Sequence, residues 1–139
     1  MPDGAPRGVT EDEAALYDRQ IRLWGLEAQN RMRSAHVVVL GLTGVATEII
    51  KNVVLSGVGR LTVVDDADVR ADDLNAGFFF RDSDVGHARV ADAPLQRIQQ
   101  LNPLVDVRGV ATARDQHSPD ARLVVARIED VPASVEEHL

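Results

Sequence analysis

The sequence predicts an α/β fold, Rossmann-like and three-layered around a mostly parallel sheet, and three observations carry that prediction. The β-branched run Val37-Val38-Val39 feeds the glycine turn Gly41-Leu42-Thr43-Gly44. A helical repeat follows at once, from about Gly44 to Ser56. After Gly57-Val58-Gly59 comes a short buried strand, Leu61–Val64, ending at Asp65. Strand, glycine turn, helix and strand at this spacing open a dinucleotide-binding α/β unit. Short loops make a right-handed parallel crossover the default.

Each element has its own local cause. Residues 1–9, with Pro2, Gly4, Pro6 and Gly8, read as a loose lead-in. Thr10 and Glu13 have the spacing of a capping box, and Glu11 and Asp12 place negative charge where a helix N-terminus favours it. One helix is expected from there toward Trp24, with Tyr17, Ile21 and Trp24 on one stripe and Leu16, Gln20 and Leu23 beside it. Gly25 ends it, and Leu26 to Arg33 starts another. In the helix after the glycine turn, Val45, Ile49 and Val53 recur every four residues beside Ile50 and Val54, while Glu48, Lys51 and Asn52 face away. Residues 66–84 are irregular and rich in Asp. A helix is expected from about Val85 to Leu101, with Ala91, Leu95 and Ile98 inward. Pro94 inside it removes a backbone bond worth roughly 3 kcal/mol, so a kink or a restart capped by Asp92 is expected. Asn102-Pro103 stops the helix and Leu104–Val110 reads as a third strand. Beyond Gly109 the signals weaken: Arg114 to Asp120 reads as a polar loop, Leu123–Ile128 as a strand, and Ser134–Leu139 as a helical start. A doubly wound sheet has about six strands. Three or four are legible here, so the expectation is a fragment or a chain completed by a partner.

Composition narrows the function classes. With 45% hydrophobic and 27% charged residues over 139 positions, the chain has the make-up of one globular domain or part of one. Its net charge of −7 argues against nonspecific binding to nucleic acid or to an anionic membrane. The absence of cysteine excludes a disulfide framework, a thiolate zinc site and a cysteine nucleophile. No stretch approaches the ~20 apolar residues of a membrane span.

The candidate nucleotide contacts are Gly41, Gly44 and Asp65. Backbone N–H groups of a glycine turn at a helix N-terminus bind phosphate, and an acid roughly 20 residues on bonds ribose. Thr43 and Ala46 stand where further glycines are usual, and their side chains crowd a phosphate's approach. A tight turn without ligand is therefore the favoured account of the two glycines, and a solvated strand-end acid that of Asp65. Asp65, Asp66 and Asp68 have no evident oxygen cage for a metal. Phe78-Phe79-Phe80 is equally compatible with core and with subunit burial. His36, His87, His117 and His138 lack metal-ligand spacing and a matching nucleophile, and receive no role.

One segment carries a resemblance. Tyr17-Asp18-Arg19-Gln20-Ile21-Arg22-Leu23-Trp24-Gly25 resembles the signature opening the adenylation domains of ubiquitin-like-modifier activating enzymes, a family that includes the bacterial proteins MoeB and ThiF. Leu26-Glu27-Ala28-Gln29, Glu48 to Asn52, Leu55-Ser56-Gly57-Val58 and Leu101 to Val107 extend it over roughly residues 11–108. Within the family the likeness is to the smaller, non-cysteine subunits of the SUMO-activating type, with those of the neddylation type as a rival.

The resemblance implies that residues 10–139 are the N-terminal part of a ThiF-type, adenylation-type domain, with 109–139 resembling the family only faintly. It implies a heterodimer with a large, cysteine-bearing subunit that binds ATP and Mg2+ and adenylates a SUMO-like modifier, so this chain is not an enzyme on its own. In the family's active half two aspartates, an Asn-x-x-Arg-Gln patch and a lysine contact nucleotide. Here the second aspartate falls on Ala67, the Asn, Arg and Gln positions on Asp73, Ala76 and Gly77, and the lysine position on Arg89. That pattern matches the degenerate half, and no cofactor is expected to bind this chain tightly. Arg19 occupies the place of the arginine that reaches across the dimer to ATP phosphates in the partner, with Arg22 in support. Its alternative is a surface arginine paired with Asp18 or Glu13. A nuclear location, with the cytoplasm also open, is implied by the same likeness. Two readings from other classes stand beside it: a nicotinamide-dependent oxidoreductase, and an inert truncated interaction module.

Overall fold

The computed structural model describes residues 9–111 and the pair Val125–Ala126. Strands β1 (His36–Leu40), β2 (Arg60–Val64) and β3 (Asp106–Val110) are parallel and in register, His36 against Arg60 against Asp106 at one end and Leu40 against Val64 against Val110 at the other. The two-residue β4 (Val125–Ala126) adds antiparallel to β1, giving the order β3-β2-β1-β4. The mostly parallel Rossmann-like sheet is thus present. The polar loop at 114–120 and the helical start at 134–139 lie outside the described residues, as do residues 1–8.

Alternation along the strands sorts the core. Val37, Val39, Leu61, Val63 and Val107 face helices α4 (Gly44–Ser56) and α6 (Asp92–Leu101), where Ala46, Ile50, Val54 and Ile98 pack on them. Val38 and Val64, flanked by Leu40 and Val110, form a second cluster on the opposite face. The buried line of α4 is Ala46, Thr47, Ile50 and Val54, one position from the stripe predicted. Val45 is exposed instead, because the segment Ala76–Gly77 lies against Gly44 and Thr47 and turns that side of the helix inward.

The predicted N-terminal helix is two: α1 (Glu11–Leu16) and α2 (Asp18–Trp24), broken at Tyr17. The break lets Tyr17 turn inward, where its ring lies on Gly57 and its hydroxyl accepts from Asn102 Nδ2 at 2.7 Å. Leu16 and Leu23, expected beside the buried stripe, are 61% and 79% exposed. Half of the capping box forms: Thr10 Oγ1 accepts from the Glu13 N–H. The Glu13 carboxylate does not reach back, because Arg33 at the end of α3 (Leu26–Arg33) holds it at 2.7 Å. Gln29 ties this helical arm to α4, accepting from Trp24 Nε1 and donating to the Ser56 carbonyl.

The helix expected from Val85 begins at Asp92, with Ala91 rather than Asp92 as the N-cap. Pro94 therefore falls in the first turn, where its missing N–H has no intrahelical partner to lose, and the predicted penalty does not arise. Residues 85–91 are used elsewhere. Val69 N–H donates to His87 O, Gly86 N–H to Val69 O and Arg89 N–H to Ala67 O. This pairing folds the Asp-rich loop back on itself and delivers the Arg89 side chain to the end of β2. Of the three phenylalanines, Phe79 and Phe80 are core and Phe78 is exposed.

Candidate functional site

Two places hold the residues singled out in the sequence, and they lie at opposite ends of α4. At its N-terminal end, Gly41 turns the chain out of β1 with φ +92° and donates to the Val64 carbonyl. The next N–H, of Leu42, donates to Asp65 Oδ2 at 2.7 Å. Gly44 opens α4, and a Cβ there would stand 2.4 Å from the carbonyl oxygen of Ala76, the last residue of the short helix α5 (Asp73–Ala76). So Gly41, Gly44 and Asp65 converge, as a Rossmann turn requires, and the close approach that Gly44 permits is to this chain's own backbone.

Asp65 is not the solvated acid expected. It is 1% exposed, because β2 carries it beneath the loop that returns at residues 85–91. A buried carboxylate needs hydrogen bonds and a counter-charge, and it has both. Oδ1 accepts from Ala67 N–H at 2.8 Å, Oδ2 from Leu42 N–H, and Arg89 Nη1 lies 3.1 Å from Oδ2. The same guanidinium reaches Asp73 through Nη2 at 3.0 Å and Nε at 3.3 Å. Burial works to lower the Arg89 pKa, but Asp65 and Asp73 outweigh it and raise it above the ordinary arginine value. Sequence reading placed Asp73 and Arg89 only where nucleotide contacts are lacking. The signal it missed was their opposite sign. Among the described residues no group of three or more His, Asp or Glu stands close enough to hold a metal ion.

Arg19 stands at the other end. On α2 it lines an open hollow of about 540 Å3 with Tyr17, Gln20, Leu55, Asn102 and Pro103. Gln20 Nε2 donates to the Leu55 carbonyl in the last turn of α4, while Gln20 Oε1 is buried with no partner among the described residues. Gly44 and Leu55 are eleven residues apart on one helix, roughly 16 Å along its axis. Arg19 is exposed, and both acids expected to pair with it are engaged elsewhere. Asp18 binds Arg22 at 3.0 Å and Glu13 binds Arg33. Arg22 is thereby turned to Asp18.

The β-α-β geometry with a two-glycine turn and the Tyr17–Gly25 segment are matched by one family in particular: the profile of the ThiF family aligns with residues 17–131. The chain belongs to the ThiF family. Relatives within it include SUMO-activating enzyme subunit 1 of Rattus norvegicus, 51% identical over 105 residues, which cover 76% of this ThiF-family chain and 30% of the relative. The DNA damage tolerance protein RHC31 of Saccharomyces cerevisiae is 50% identical over 99 residues, covering 71% and 28%. The chain thus spans less than a third of the length of these relatives. Among solved structures, E. coli tRNA N6-threonylcarbamoyladenosine dehydratase, TcdA, in complex with ATP superposes with a TM-score of 0.66 at 26% identity, over 75% of this chain and 42% of TcdA.

Proposed function

We propose that this chain serves as the non-catalytic subunit of a SUMO-activating enzyme, supporting ATP-dependent adenylation of a modifier C-terminus by a larger, cysteine-bearing partner. The relatives at about half identity named as SUMO-activating enzyme subunit 1 support the modifier class. TcdA with ATP supports nucleotide chemistry in the wider fold. The residues at this chain's own glycine turn do not fit ATP. The Leu42 N–H already serves Asp65, and the Ala76 carbonyl covers Gly44. ATP and Mg2+ belong, on this reading, to the partner.

The observation that carries the proposal is Arg19: exposed, without an ion pair among the described residues, and at the far end of α4 from its own glycine turn. Around it on the same arm Leu16, Leu23, Trp24 and Leu26 are exposed apolar side chains, as a protein-binding surface requires. In adenylation a carboxylate oxygen of the modifier bonds to the α-phosphorus and the bond to the β-phosphate oxygen breaks, releasing pyrophosphate. A guanidinium donates to two phosphate oxygens at once and stabilises the charge that develops on the leaving group. Arg19, from α2, is that guanidinium.

The test is modifier-dependent ATP–pyrophosphate exchange by the assembled complex. Arg19→Ala lowers the rate at least about 100-fold, while unfolding of the chain itself stays within about 0.5 kcal/mol of wild type, since Arg19 is exposed and has no ion pair among the described residues. An unchanged exchange rate overturns the role. Exchange supported by the modifier of the neddylation type and not by a SUMO-like one transfers the proposal to the neddylation enzyme.

A further inference from the structure

The mouth of the glycine turn is occupied from within, and this can be followed bond by bond. Asp65 takes the Leu42 N–H of the turn and the Ala67 N–H of its own loop. Arg89 binds Asp65 on one side and Asp73 on the other, with 11% of its side chain exposed. Asp73 is the first residue of α5, and Ala76, the last, sets its carbonyl oxygen against Gly44. A single guanidinium therefore links the end of β2 to α5, and α5 in turn covers the N-terminus of α4. Two carboxylates and one guanidinium leave one net negative charge there, which opposes entry of a polyphosphate.

We propose that Asp65, Arg89 and Asp73 form an internal plug that takes the place of a nucleotide. The plug uses the turn's N–H and pins α5 over the helix. It holds α5 closed over the N-terminus of α4 through this chain's own side chains. The chain is then folded and rigid at its glycine turn without cofactor, whatever Arg19 does for a partner. This gives the missing nucleotide contacts a positive role: an acid at residue 73 and an arginine at residue 89 replace a mobile ligand with a covalently attached one.

The experiment is thermal unfolding of the 139-residue chain, wild type and variants, with and without added small molecules. Arg89→Ala removes the guanidinium that faces the buried Asp65 carboxylate, and lowers Tm by about 10 °C or more. Asp65→Asn/Arg89→Ala removes both charges and unfolds above the single variant, so the two substitutions are strongly non-additive. Methylguanidinium at about 10 mM refills the space in Arg89→Ala and raises its Tm by about 4 °C, while wild type and the double variant do not respond. About 1 mM Mg·ATP leaves wild type unmoved. If Arg89→Ala does not fold at all, a cooperative transition must return in the double variant. Additive losses, an equal methylguanidinium effect on all three proteins, no rescue, or stabilisation of wild type by Mg·ATP each overturn the plug. None of these readouts involves Arg19 or a partner, so they fail or succeed independently of the pyrophosphate-exchange test.

Discussion

Asn102→Ala tests whether the arm that carries Arg19 is held in place by one buried side chain. Asn102 is 4% exposed. Its Nδ2 donates to the Tyr17 hydroxyl at 2.7 Å and to the Val54 carbonyl at 3.0 Å, and its Oδ1 accepts from Leu104 N–H at 3.1 Å. These bonds join the break between α1 and α2, the last turn of α4 and the loop into β3. At about 1 kcal/mol net each, their loss costs about 3 kcal/mol. Val54 O keeps the Gly57 N–H at 3.1 Å, which holds the cost near that figure rather than above it. For a chain of 139 residues the corresponding fall in Tm is about 10 °C. The assay is urea unfolding followed by the fluorescence of Trp24, the single tryptophan, for Asn102→Ala, Tyr17→Phe and both together. Tyr17→Phe costs about 1 kcal/mol, and the double variant falls short of the sum by about the same amount, because the two share one bond. A loss below about 1 kcal/mol for Asn102→Ala, or simple additivity, refutes the idea that this contact fastens α2 to the body of the fold.

Two further predictions concern backbone and charge. Gly57 closes α4 in the left-handed region, and a Cβ there would stand 2.5 Å from the Tyr17 ring; Gly57→Ala therefore costs more than the backbone share of about 1 kcal/mol. A loss in urea unfolding no larger than that share would show that Tyr17 does not depend on the missing side chain. Burial, helped by Arg60 and Arg108, holds the His36 pKa below 6.5. The unfolded chain thus takes up this proton first, so the contribution is complete above pH 6.5 and is lost as pH falls through the folded value. His36→Gln flattens the stability profile in that window. Asp84 acts the same way lower down: its hydrogen bond with Arg97 depresses its pKa from 3.8, so stability present above pH 3.8 declines below it, and Asp84→Asn removes that part of the decline.

Elements whose causes are local were legible before any coordinates. β1, the glycine turn, α4 and β2 follow from β-branched runs, punctuating glycines and a helical repeat within thirty residues, and the structure places them within one residue of those signals. The Tyr17–Gly25 segment was legible in another way, through resemblance, and the ThiF match covers it. Where the expectation failed, a distant partner outbid a near one. Glu13 has the spacing to cap its own helix, yet its charge goes to Arg33, because a guanidinium binds a carboxylate more strongly than a backbone N–H does. Residues 85–91 have a helical pattern, yet their backbone pairs with residues 67–69 across a loop that sequence spacing does not reveal.

The order of strands and helices, the turn between them and the family were thus written in neighbouring residues, since propensity, capping and periodicity act over a few positions. Whether an arginine is free or paired, and whether an acid at a strand end meets water or a buried cation, depends on residues tens of positions away. Arg19 has no ion pair among the described residues because its nearby acids found other cations, and Asp65 meets a cation because a folded-back loop delivers Arg89. Such choices are made only when packing fixes which charges can touch, because Coulomb energy and desolvation both turn on ångström distances that a linear chain does not contain.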